Sequence, residues 1–358
     1  MSCSAMARSP LNILFLTLYP DSAASPRYRV LQFLPHLRAR GFRCTVESAV
    51  SERAYEKFYG PSRSGRPFWY HADETPRRVM QILRARPFDI VVVQKAILSA
   101  YLRGMHTLLR ANAKRLVYDI DDAMHLHPPH PLLGVWKTLE DEQQILHFVK
   151  DVDLVLAGNA WLASEMRGHA KRVDFFPTVV DTDYFFPAPS PPSSMVAGWI
   201  GNPSTTPHLS VTECLGGLDH VTLRAVGADA ARLPWRNAES IPWRRETEVA
   251  ALRSFSVGIM PLIKDEWTRG KCALKALQYM ACGVPCVATP YGAVLDVVAD
   301  NVNGLFADSP EEWMAAIEWL RDESAHKKIA DAGRTTVEQH FSLKQAAPKL
   351  GDLLESVV

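Results

Sequence analysis

Short apolar runs alternate with amphipathic stretches along the first half of the chain. The apolar runs predict strands at residues 12–18, 43–48, 89–94, 115–120, 153–157 and 173–176. Runs that are apolar throughout are typical of parallel strands that helices cover on both faces. Between them, Ser25-Pro26 and Thr75-Pro76 each have the form of a helix N-cap followed by proline at the first helical position. The pattern therefore predicts an α/β domain with a parallel sheet.

The alternation stops once and then restarts. The stretch FFPAPSPPSS, residues 185–194, lacks periodicity and is rich in proline and serine, which is typical of a linker. After it, strands are predicted at 196–200, 221–226, 256–260, 285–288 and 304–306, and helices at 310–321, 325–340 and 342–358. We therefore expect domains over 1–186 and 187–341, followed by a helix over 342–358. Open α/β sheets bind ligands beyond the carboxyl ends of their strands, so a cleft between the domains is the expected site.

The segment LNILFLTLY, followed by DSAAS, has the layout of a signal peptide. Later segments repeat its apolar pattern, so we interpret it instead as a first buried strand. No apolar run reaches the roughly 18 residues that a membrane span requires. The six cysteines show no C-x-x-C spacing, which argues against a zinc site or a disulfide framework and favours reduced thiols in a cytoplasm.

A net charge of +1 conceals an uneven distribution of charge. Residues 1–115 carry 19 Lys and Arg against 7 Asp and Glu, and the remainder carries 21 against 32. Such a basic half either meets an anionic partner, such as a membrane surface, a lipid phosphate or a nucleic acid, or is a solvated basic surface. The basic residues are dispersed and no docking motif for nucleic acid is present, so we expect no nucleic acid as partner.

The stretch KCALKALQYMACGVP, residues 271–285, predicts a helix that begins at Lys271 and ends in a turn. Helical spacing places four side chains on one face, namely Lys271, Lys275, Gln278 and Cys282, opposite an apolar face. Lysines in the first turns oppose the helix dipole by roughly 0.3–1 kcal/mol each, whereas an anion bound there reverses the sign. With Gly270 allowing close approach to the backbone, the segment predicts a phosphate or diphosphate site. Two solvent-exposed lysines are the alternative.

The segment GKCALKALQYMACGVPCVATP, residues 270–290, resembles the nucleotide-sugar-binding segment of retaining family 4 glycosyltransferases of the GT-B fold. In that family, two glutamates separated by seven residues precede a Met-Ala-x-Gly-x-Pro-Val-Val pattern. Other segments match in the family's order, namely SPRYRVLQFLPHLRARGF, VYDIDDAMHL, FFPTVVDTDYF, GWIGNPSTTPHL and VGIMPLIKDEW. The resemblance implies an α/β fold of the GT-B type. Two Rossmann-like, doubly wound domains would face a cleft, an acceptor-binding domain first and a nucleotide-sugar-binding domain second, and the C-terminal helix would cross back to the first.

The implied activity is transfer of a sugar from a nucleotide diphosphate sugar to an acceptor hydroxyl, with retention of anomeric configuration. The chain departs from the family at Gln278, where the glutamate that holds the ribose would stand, and at Gly270, where the other glutamate would stand; Glu266 and Asp265 lie just upstream as substitutes. The family's Arg and Lys diphosphate pair is missing from GNPSTTPHL, so we expect Lys271 and Lys275 to carry that charge. The donor-binding residues implied are Gly201, Asn202, Ile241, Glu266, Gly270, Lys271, Cys272, Ala273, Leu274, Lys275 and Gln278.

The acids that follow a buried strand in VYDIDDAMHL are further candidates. Asp121 takes the place of a histidine that the family sets near the donor sugar, and we expect Asp121, Asp122 and Lys275 to be the catalytic residues. Loop capping is the alternative for the acids. A metal is not expected, because the family holds the diphosphate with protein groups, and prolines interrupt the spacing of the histidines in MHLHPPHP. Acceptor or phosphate contacts are expected from Ser25, Arg27, Arg29 and His127.

These expectations define an enzyme that needs no cofactor beyond its nucleotide-sugar substrate. Its partners would be the sugar donor, a glycan or lipid-linked acceptor of the kind used in cell-envelope polysaccharides, and an anionic membrane surface. It would lie in the cytoplasm, peripheral to the inner face of the membrane. The alternatives are a GT-B sugar-nucleotide epimerase and a degenerate, non-catalytic sugar-nucleotide-binding protein, which the two missing glutamates favour.

Overall fold

The computed structural model describes residues 10–59, 67–189, 192, 194–229, 233 and 235–358. Residue contacts divide the chain into two compact units. The first takes the chain up to Gly158, then Leu162–Phe176 and Ala347–Val358, and the second takes Asn159–Trp161 and Pro177–Ala346. The domain boundaries that the sequence suggested at 186/187 and 341/342 stay predictions. Part of the predicted linker, residues 190, 191 and 193, lies outside the described residues.

The first unit contains a parallel sheet of six strands in the order β2-β1-β3-β4-β5-β6. Its strands are β1 (Asn12–Thr17), β2 (Arg43–Ser48), β3 (Ile90–Gln94), β4 (Leu116–Ile120), β5 (Leu154–Ala157) and β6 (Val173–Phe175). The central strands β3, β4 and β5 are buried along their whole length, as their continuous apolar sequences require. The strand order reverses between β1 and β3, so ligands of this sheet are expected beyond the carboxyl ends of those two strands.

The second unit contains a second parallel sheet of six strands in the order β12-β11-β10-β7-β8-β9. Its strands are β7 (Met195–Ile200), β8 (Val221–Val226), β9 (Ala238–Ile241), β10 (Val257–Met260), β11 (Cys286–Ala288) and β12 (Leu305–Phe306). Counted from β7, this is the 3-2-1-4-5-6 order of Rossmann domains, and the order reverses between β7 and β10. Each strand predicted from an apolar run is present, with its ends within one residue of the prediction.

Most of the helices connect successive strands, and the last ones follow β12. They are α1 (Ala24–Arg29), α2 (Leu34–Ala39), α3 (Glu52–Tyr59), α4 (Pro67–Leu83), α5 (Met105–Asn112), α6 (Gln144–Asp151), α7 (Ala160–Arg167), α8 (Glu248–Leu252), α9 (Glu266–Arg269), α10 (Leu274–Ala281), α11 (Val294–Val297), α12 (Pro310–Trp319), α13 (Glu323–His340) and α14 (Leu343–Glu355). Several 3-10 segments supplement them, including the long one over Pro203–Gly217. Both units therefore have the α/β architecture that the sequence predicted.

Both predicted proline starts are wrong. Helix α1 begins one residue before Ser25, and its N-cap is Ala23, which makes no side-chain cap. Pro76 lies inside α4 rather than at its start. The turns of α4 before Pro76 are held by tertiary contacts, since Glu74 is fully buried and accepts a hydrogen bond from the Ser99 N–H at 2.6 Å. Such packing outweighs the local preference of a proline for the first turn.

The carboxyl part of α14 belongs to the first unit. Arg40 donates to the carboxylates of Asp352 (2.7 Å) and Glu355 (2.8 and 2.9 Å) and to the carbonyl of Pro348 (3.1 Å). The helix thus joins the unit with which the chain begins, as the fold implied by the resemblance requires.

Part of the basic excess of the N-terminal half is internal. Arg78 is fully buried and donates to the carbonyls of Ile97 (2.9 Å) and Thr17 and to Gln81 (2.9 Å). Burial lowers the pKa of Arg78 to about 10. In the part of the chain that the structure describes, no helix combines the length and the apolar character that crossing a bilayer requires.

Candidate functional site

The second sheet presents a tight glycine turn at its switch point. Gly201 follows β7, and a Cβ at this position would lie 2.4 Å from the ring of Trp199 and 2.7 Å from the hydroxyl of Thr205. Gly227 follows β8 at φ +82°, and a Cβ there would meet the Gly201 carbonyl at 2.1 Å. Only glycine fits both positions, so the chain can turn tightly at the end of β7, next to the switch point where sheets of this kind bind their ligands.

Helix α10 begins at Leu274, so the predicted start at Lys271 is wrong. Ala273, the N-cap, has φ +51°, a left-handed conformation that separates the 270–272 segment from the helix. Lys271 therefore lies in the connection between α9 and α10 and does not share a helical face with Lys275. Asn159, a buried residue of the second unit, donates to the Lys271 carbonyl at 3.0 Å and to the Arg269 carbonyl at 3.3 Å, which orders this connection.

Tyr279 fixes α10 on the sheet. Its hydroxyl donates to the Ile259 carbonyl at 3.3 Å and accepts from the Ile200 N–H at 3.2 Å, so it ties the helix to β10 and β7, the two switch-point strands. Gly258 makes room for the tyrosine ring, because a Cβ there would lie 2.3 Å from it. Lys275 stands one helical turn before Tyr279 and is thereby positioned at the carboxyl edge of the sheet.

Lys275 lies at this edge in surroundings that disfavour its positive charge. Its Nζ lies 4.6 Å from the ring centroid of the fully buried Trp199, a cation–π contact. Burial lowers the pKa of Lys275 to about 7, and repulsion from Lys271 acts in the same direction. An anion that binds next to this lysine would stabilise the charged ammonium and raise its pKa.

His208 adds a third nitrogen donor beside the lysines. Its Nδ1 accepts the Ile263 N–H at 3.0 Å, so the neutral ring carries its proton on Nε2. Burial, followed by Lys275 and Lys271, lowers the pKa of His208 to about 4. The imidazole is therefore neutral at physiological pH and offers an N–H rather than a further positive charge.

Gln278 is buried on α10 and points to another element of the same unit. Its Nε2 donates to Glu248 Oε1 at 3.2 Å, and the indole N–H of Trp243 donates to the same oxygen at 3.2 Å. Glu248 is the first residue of α8 and is 2% exposed. Gln278, which stands at the family's glutamate position, thus donates a hydrogen bond to the carboxylate of Glu248, a residue that the sequence pattern did not indicate.

The remaining donor-binding predictions fall on loops and element ends. Asn202 is the N-cap of the Pro203–Gly217 segment and accepts from the Ser204 N–H at 3.1 Å, so its side chain is engaged in local structure. Glu266 is exposed in the first turn of α9, Gly270 is the buried C-cap of that helix, and Ile241 ends β9. The connection into α10 supplies the half-buried Cys272 and Leu274 and the buried Ala273. Their predicted ligand contacts stay predictions.

A polar cluster lies at the switch point of the first sheet. Lys95 follows β3 in a left-handed conformation (φ +75°) and makes an ion pair with Asp122, with Asp121 Oδ1 at 3.5 Å. Ser25 donates to Asp121, and Gln94 donates to the Ser25 hydroxyl at 2.6 Å. A non-glycine residue held at positive φ is strained, and such strain concentrates at functional sites. The structure therefore brings the predicted Ser25, Asp121 and Asp122 together around a lysine.

Arg29, a predicted acceptor or phosphate contact, has an ion-pair partner in the interior, and its contact with a ligand stays a prediction. Its guanidinium binds both oxygens of Asp119, at 2.7–3.2 Å, and donates to the Phe176 carbonyl at 2.9 Å. The two side chains are 1% and 3% exposed. Burial raises the pKa of Asp119, and the charge of Arg29 opposes that shift. The Asp119 carboxylate therefore binds Arg29 in the interior, whereas Asp121 and Asp122 provide the carboxylates beside the Lys95 ammonium.

The other predicted acceptor contacts differ in exposure. Arg27 is buried, with its guanidinium 5.2 Å from the Tyr28 ring centroid. His127 is exposed, and its Nδ1 lies 3.4 Å from the Pro128 carbonyl. Within the described ranges, no group of three or more His, Cys, Asp or Glu residues could hold a metal ion.

Several residues of these clusters were missed in the sequence. Gln94 is the last residue of the buried strand β3 and Lys95 follows it, so their position at the carboxyl end of a predicted parallel strand was the available signal. His208 stands in GNPSTTPHL, where it could have been weighed as a replacement for the missing diphosphate pair. Glu248 gave no signal, because its link to Gln278 spans thirty residues and depends on the fold.

Comparisons with known proteins agree with this architecture. The family model "Glycosyl transferases group 1" matches residues 217–323, which include α10 and β8 to β12. A segment of 100 residues is 30% identical to N-acetyl-alpha-D-glucosaminyl L-malate synthase of Bacillus anthracis. This segment amounts to 27% of the chain and 25% of that protein, so the chain spans about a quarter of the curated relative it matches.

Solved structures match the fold over nearly the whole chain. The sucrose-phosphate synthase tll1590 from Thermosynechococcus elongatus superposes with a TM-score of 0.72 at 14% identity, covering 97% of this chain and 99% of that one. Alr3699/HepE from Anabaena, solved with UDP-glucose, gives a TM-score of 0.69 at 15% identity, with 97% and 100% coverage. The predicted fold class, two Rossmann-like parallel-sheet units of the GT-B type, is confirmed.

Proposed function

We propose that the protein is a glycosyltransferase that moves a hexose from a nucleotide diphosphate sugar to an acceptor hydroxyl with retention of anomeric configuration. The observation that carries this proposal is the cationic edge of the second unit, where Lys271, Lys275 and His208 lie near one another and Lys275 lies over Trp199, which packs on the glycine turn at Gly201. The match to the glycosyl transferase model spans the α10 part of this edge. The resemblance noted in the sequence includes both segments.

The reaction requires protein groups that stabilise the negative charge on the leaving diphosphate. The bond between the sugar C1 and the diphosphate oxygen breaks, C1 bonds to the acceptor oxygen on the same face, and the proton of the acceptor hydroxyl passes to the leaving diphosphate. The ammonium groups of Lys271 and Lys275 and the N–H of His208 would stabilise the negative charge as it develops on the nucleoside diphosphate. Because these groups supply the positive charge, we propose that the reaction needs no metal ion or cofactor.

The first unit is proposed to contact the acceptor, a glycan or a lipid-linked sugar. Asp121 and Asp122 offer carboxylate oxygens to sugar hydroxyls, and the ion pair with Lys95 holds them in place. The Ser25 hydroxyl, itself bonded to Asp121, extends the same polar surface. We therefore propose that the two acids, which the sequence suggested as catalytic residues, orient the acceptor.

The test is incubation with a panel of UDP, GDP, ADP and dTDP sugars, with and without octyl glycosides and lipid-linked sugars as acceptors, followed by mass spectrometry. We expect free nucleoside diphosphate and a glycosylated acceptor, in equal amounts with and without EDTA, and the donor's anomeric configuration in the product by NMR. An isomeric donor without acceptor would instead establish epimerisation. Nucleotide binding with no product from any donor would leave a binding protein.

We also propose a cytoplasmic location with peripheral contact to an anionic membrane. The support is an exposed apolar segment in the first unit, where Leu133, Val135 and Trp136 are 70%, 79% and 61% exposed and Lys137 follows directly. Tryptophan and lysine at such a site suit the headgroup region of a bilayer.

Flotation with phosphatidylcholine vesicles, with and without phosphatidylglycerol, tests this contact. We expect the protein to float with the anionic vesicles and Trp136→Ser to lower the bound fraction several-fold, because the indole no longer enters the interface. Trp319→Ser is the matched control, since Trp319 is 42% exposed in the second unit. Equal flotation of the two variants would contradict the proposal.

A further inference from the structure

The buried carboxylate of Glu248 has no part in the chemistry described above. Two neutral donors, Gln278 Nε2 and Trp243 Nε1, hold its Oε1 at 3.2 Å each. Glu248 and Gln278 are 2% and 3% exposed. Moving a carboxylate out of water costs several kcal/mol unless hydrogen bonds stabilise it, so this arrangement is costly for a purely structural link between two helices.

The hydrogen bond from Gln278 attaches the carboxylate to α10, the helix that also carries Lys275. Gln278 stands three residues after Lys275 on α10, which separates their Cα atoms by about 4.5 Å along the helix axis and places them on neighbouring faces. Trp243 stands two residues after Ile241, the last residue of β9, at the carboxyl end of the same sheet. A ligand with its diphosphate at Lys275 therefore brings its next chemical group close to Glu248.

We propose that the Glu248 carboxylate, oriented by Gln278 and Trp243, recognises the vicinal 2′ and 3′ hydroxyls of the ribose of a nucleoside diphosphate. The inference rests on the proposed function, because Lys275 must hold the diphosphate. In a nucleoside diphosphate the ribose is the group next to the α-phosphate. Its two adjacent hydroxyls can both donate to one carboxylate, and hydrogen bonds to an ionised acceptor are about twice as strong as neutral ones.

This arrangement explains why an amide at position 278 suits the site. The Gln278 side chain donates to Glu248, whereas a glutamate there would place a second carboxylate about as close as the present 3.2 Å contact. Two carboxylates at that distance cannot both stay ionised at neutral pH. Gln278 is therefore a positioning residue, and Glu248 is the group that touches the ligand.

The experiment compares affinities measured by calorimetry on the full chain. The ligands are the tightest-binding of UDP, GDP and ADP, its 2′-deoxy and 3′-deoxy analogues, dTDP and inorganic pyrophosphate. We expect the wild type to prefer the ribonucleotide by about 10- to 100-fold, as the loss of hydrogen bonds to a charged group implies. Glu248→Gln should reduce that preference to about threefold or less and leave pyrophosphate affinity unchanged.

The role proposed for the Gln278 amide gives a second, independent prediction. Gln278→Glu should lower the melting temperature and weaken ribonucleotide binding, because it creates the carboxylate pair. The exchange Glu248→Gln with Gln278→Glu should recover the melting temperature, since one carboxylate and one amide remain. If Glu248→Gln fails to fold, Trp243→Phe removes one donor from the same oxygen and should lower the ribose preference in part.

The outcomes separate this inference from the function on which it rests. Absence of binding by every nucleotide would overturn both. Nucleotide binding with an unchanged ribose preference in Glu248→Gln, or a wild-type preference for dTDP, would overturn the ribose assignment alone. In the first of those cases, Glu248 would be a structural link between α8 and α10.

Discussion

Replacing Lys275 by methionine is expected to weaken nucleoside diphosphate binding by about 100-fold or more, the range of a lost charge-assisted contact in a partly buried site. The same change should raise the melting temperature at neutral pH. The side chain lies over the buried ring of Trp199, and burial lowers its pKa to about 7. Methionine keeps the apolar stem on that ring and removes the disfavoured charge.

The sign of the stability change follows from the two pKa values of Lys275. The folded-state pKa, about 7, lies below the ordinary value of 10.5. The cost of burying the ammonium is therefore fully present below about pH 7 and disappears as the pH rises towards 10.5, where both states are neutral. Lys275→Met should accordingly exceed the wild type in stability most at and below pH 7. Thermal unfolding across this pH range measures the difference.

Nucleotide affinity should show the opposite dependence. A bound diphosphate favours the ammonium, so affinity should fall as the pH rises above about 7 in the wild type. This decline should be absent in Lys275→Met. Ionisation of the terminal phosphate near pH 6 affects both proteins equally, so the comparison removes it.

Lys328→Met is the matched control, because it makes the same substitution at an exposed position of α13 in the same unit. It should leave affinity and its pH dependence unchanged. A Lys275→Met protein that binds nucleotide as tightly as the control would contradict the assignment of the diphosphate to this edge.

The fold was predictable from the sequence because buried parallel strands are apolar throughout. The strand Ile90–Gln94, for example, is buried at every residue, so its pattern carries its structure. Strand β9, Ala238–Ile241, was missed for the converse reason. It is an edge strand with Glu239 and Ser240 exposed, and its sequence AESI has no apolar run.

The site was only partly predictable, because its geometry depends on tertiary contacts. Helical periodicity placed Lys271 on α10, whereas Ala273 adopts a left-handed conformation that no residue preference indicates. The predicted apolar face is buried at Leu277, Met280 and Ala281, so periodicity was reliable once the helix had begun. The contacts of Lys275 with Trp199 and of Gln278 with Glu248 join distant segments, and no local pattern could reveal them.

Arg29 illustrates the same limit in the first unit. As one of several basic residues near the N-terminus, it had the character of a surface cation that could meet a phosphate. The structure instead pairs it with Asp119 in the interior, and the pairing partner lies 90 residues away. Asp119, Asp121 and Asp122 look alike in VYDIDDAMHL, yet burial separates the first of them from the two that surround Lys95.

Breaking the Arg29–Asp119 pair is expected to produce a large loss of stability. Arg29→Met should lower the free energy of unfolding by about 3–5 kcal/mol, because Asp119 would remain buried without its counter-charge. The loss should diminish as the pH falls, since protonation of Asp119 removes the unpaired charge. Urea denaturation of the full chain, followed by a probe of the first unit, measures both effects.

The double variant Arg29→Met with Asp119→Leu distinguishes two contributions to stability. One is the destabilisation by an unpaired buried charge, and the other is the net stabilisation by the ion pair. Removal of both charges should recover most of the lost stability, because apolar side chains of similar size replace buried ion pairs at little cost. Lys114→Met is the control for an exposed pair of the same unit. Lys114 lies 3.0 Å from Asp89 and is 56% exposed, so its loss should cost less than about 1 kcal/mol. An Arg29→Met protein that unfolds like this control would contradict the prediction, because it would show that other groups stabilise the buried Asp119 carboxylate.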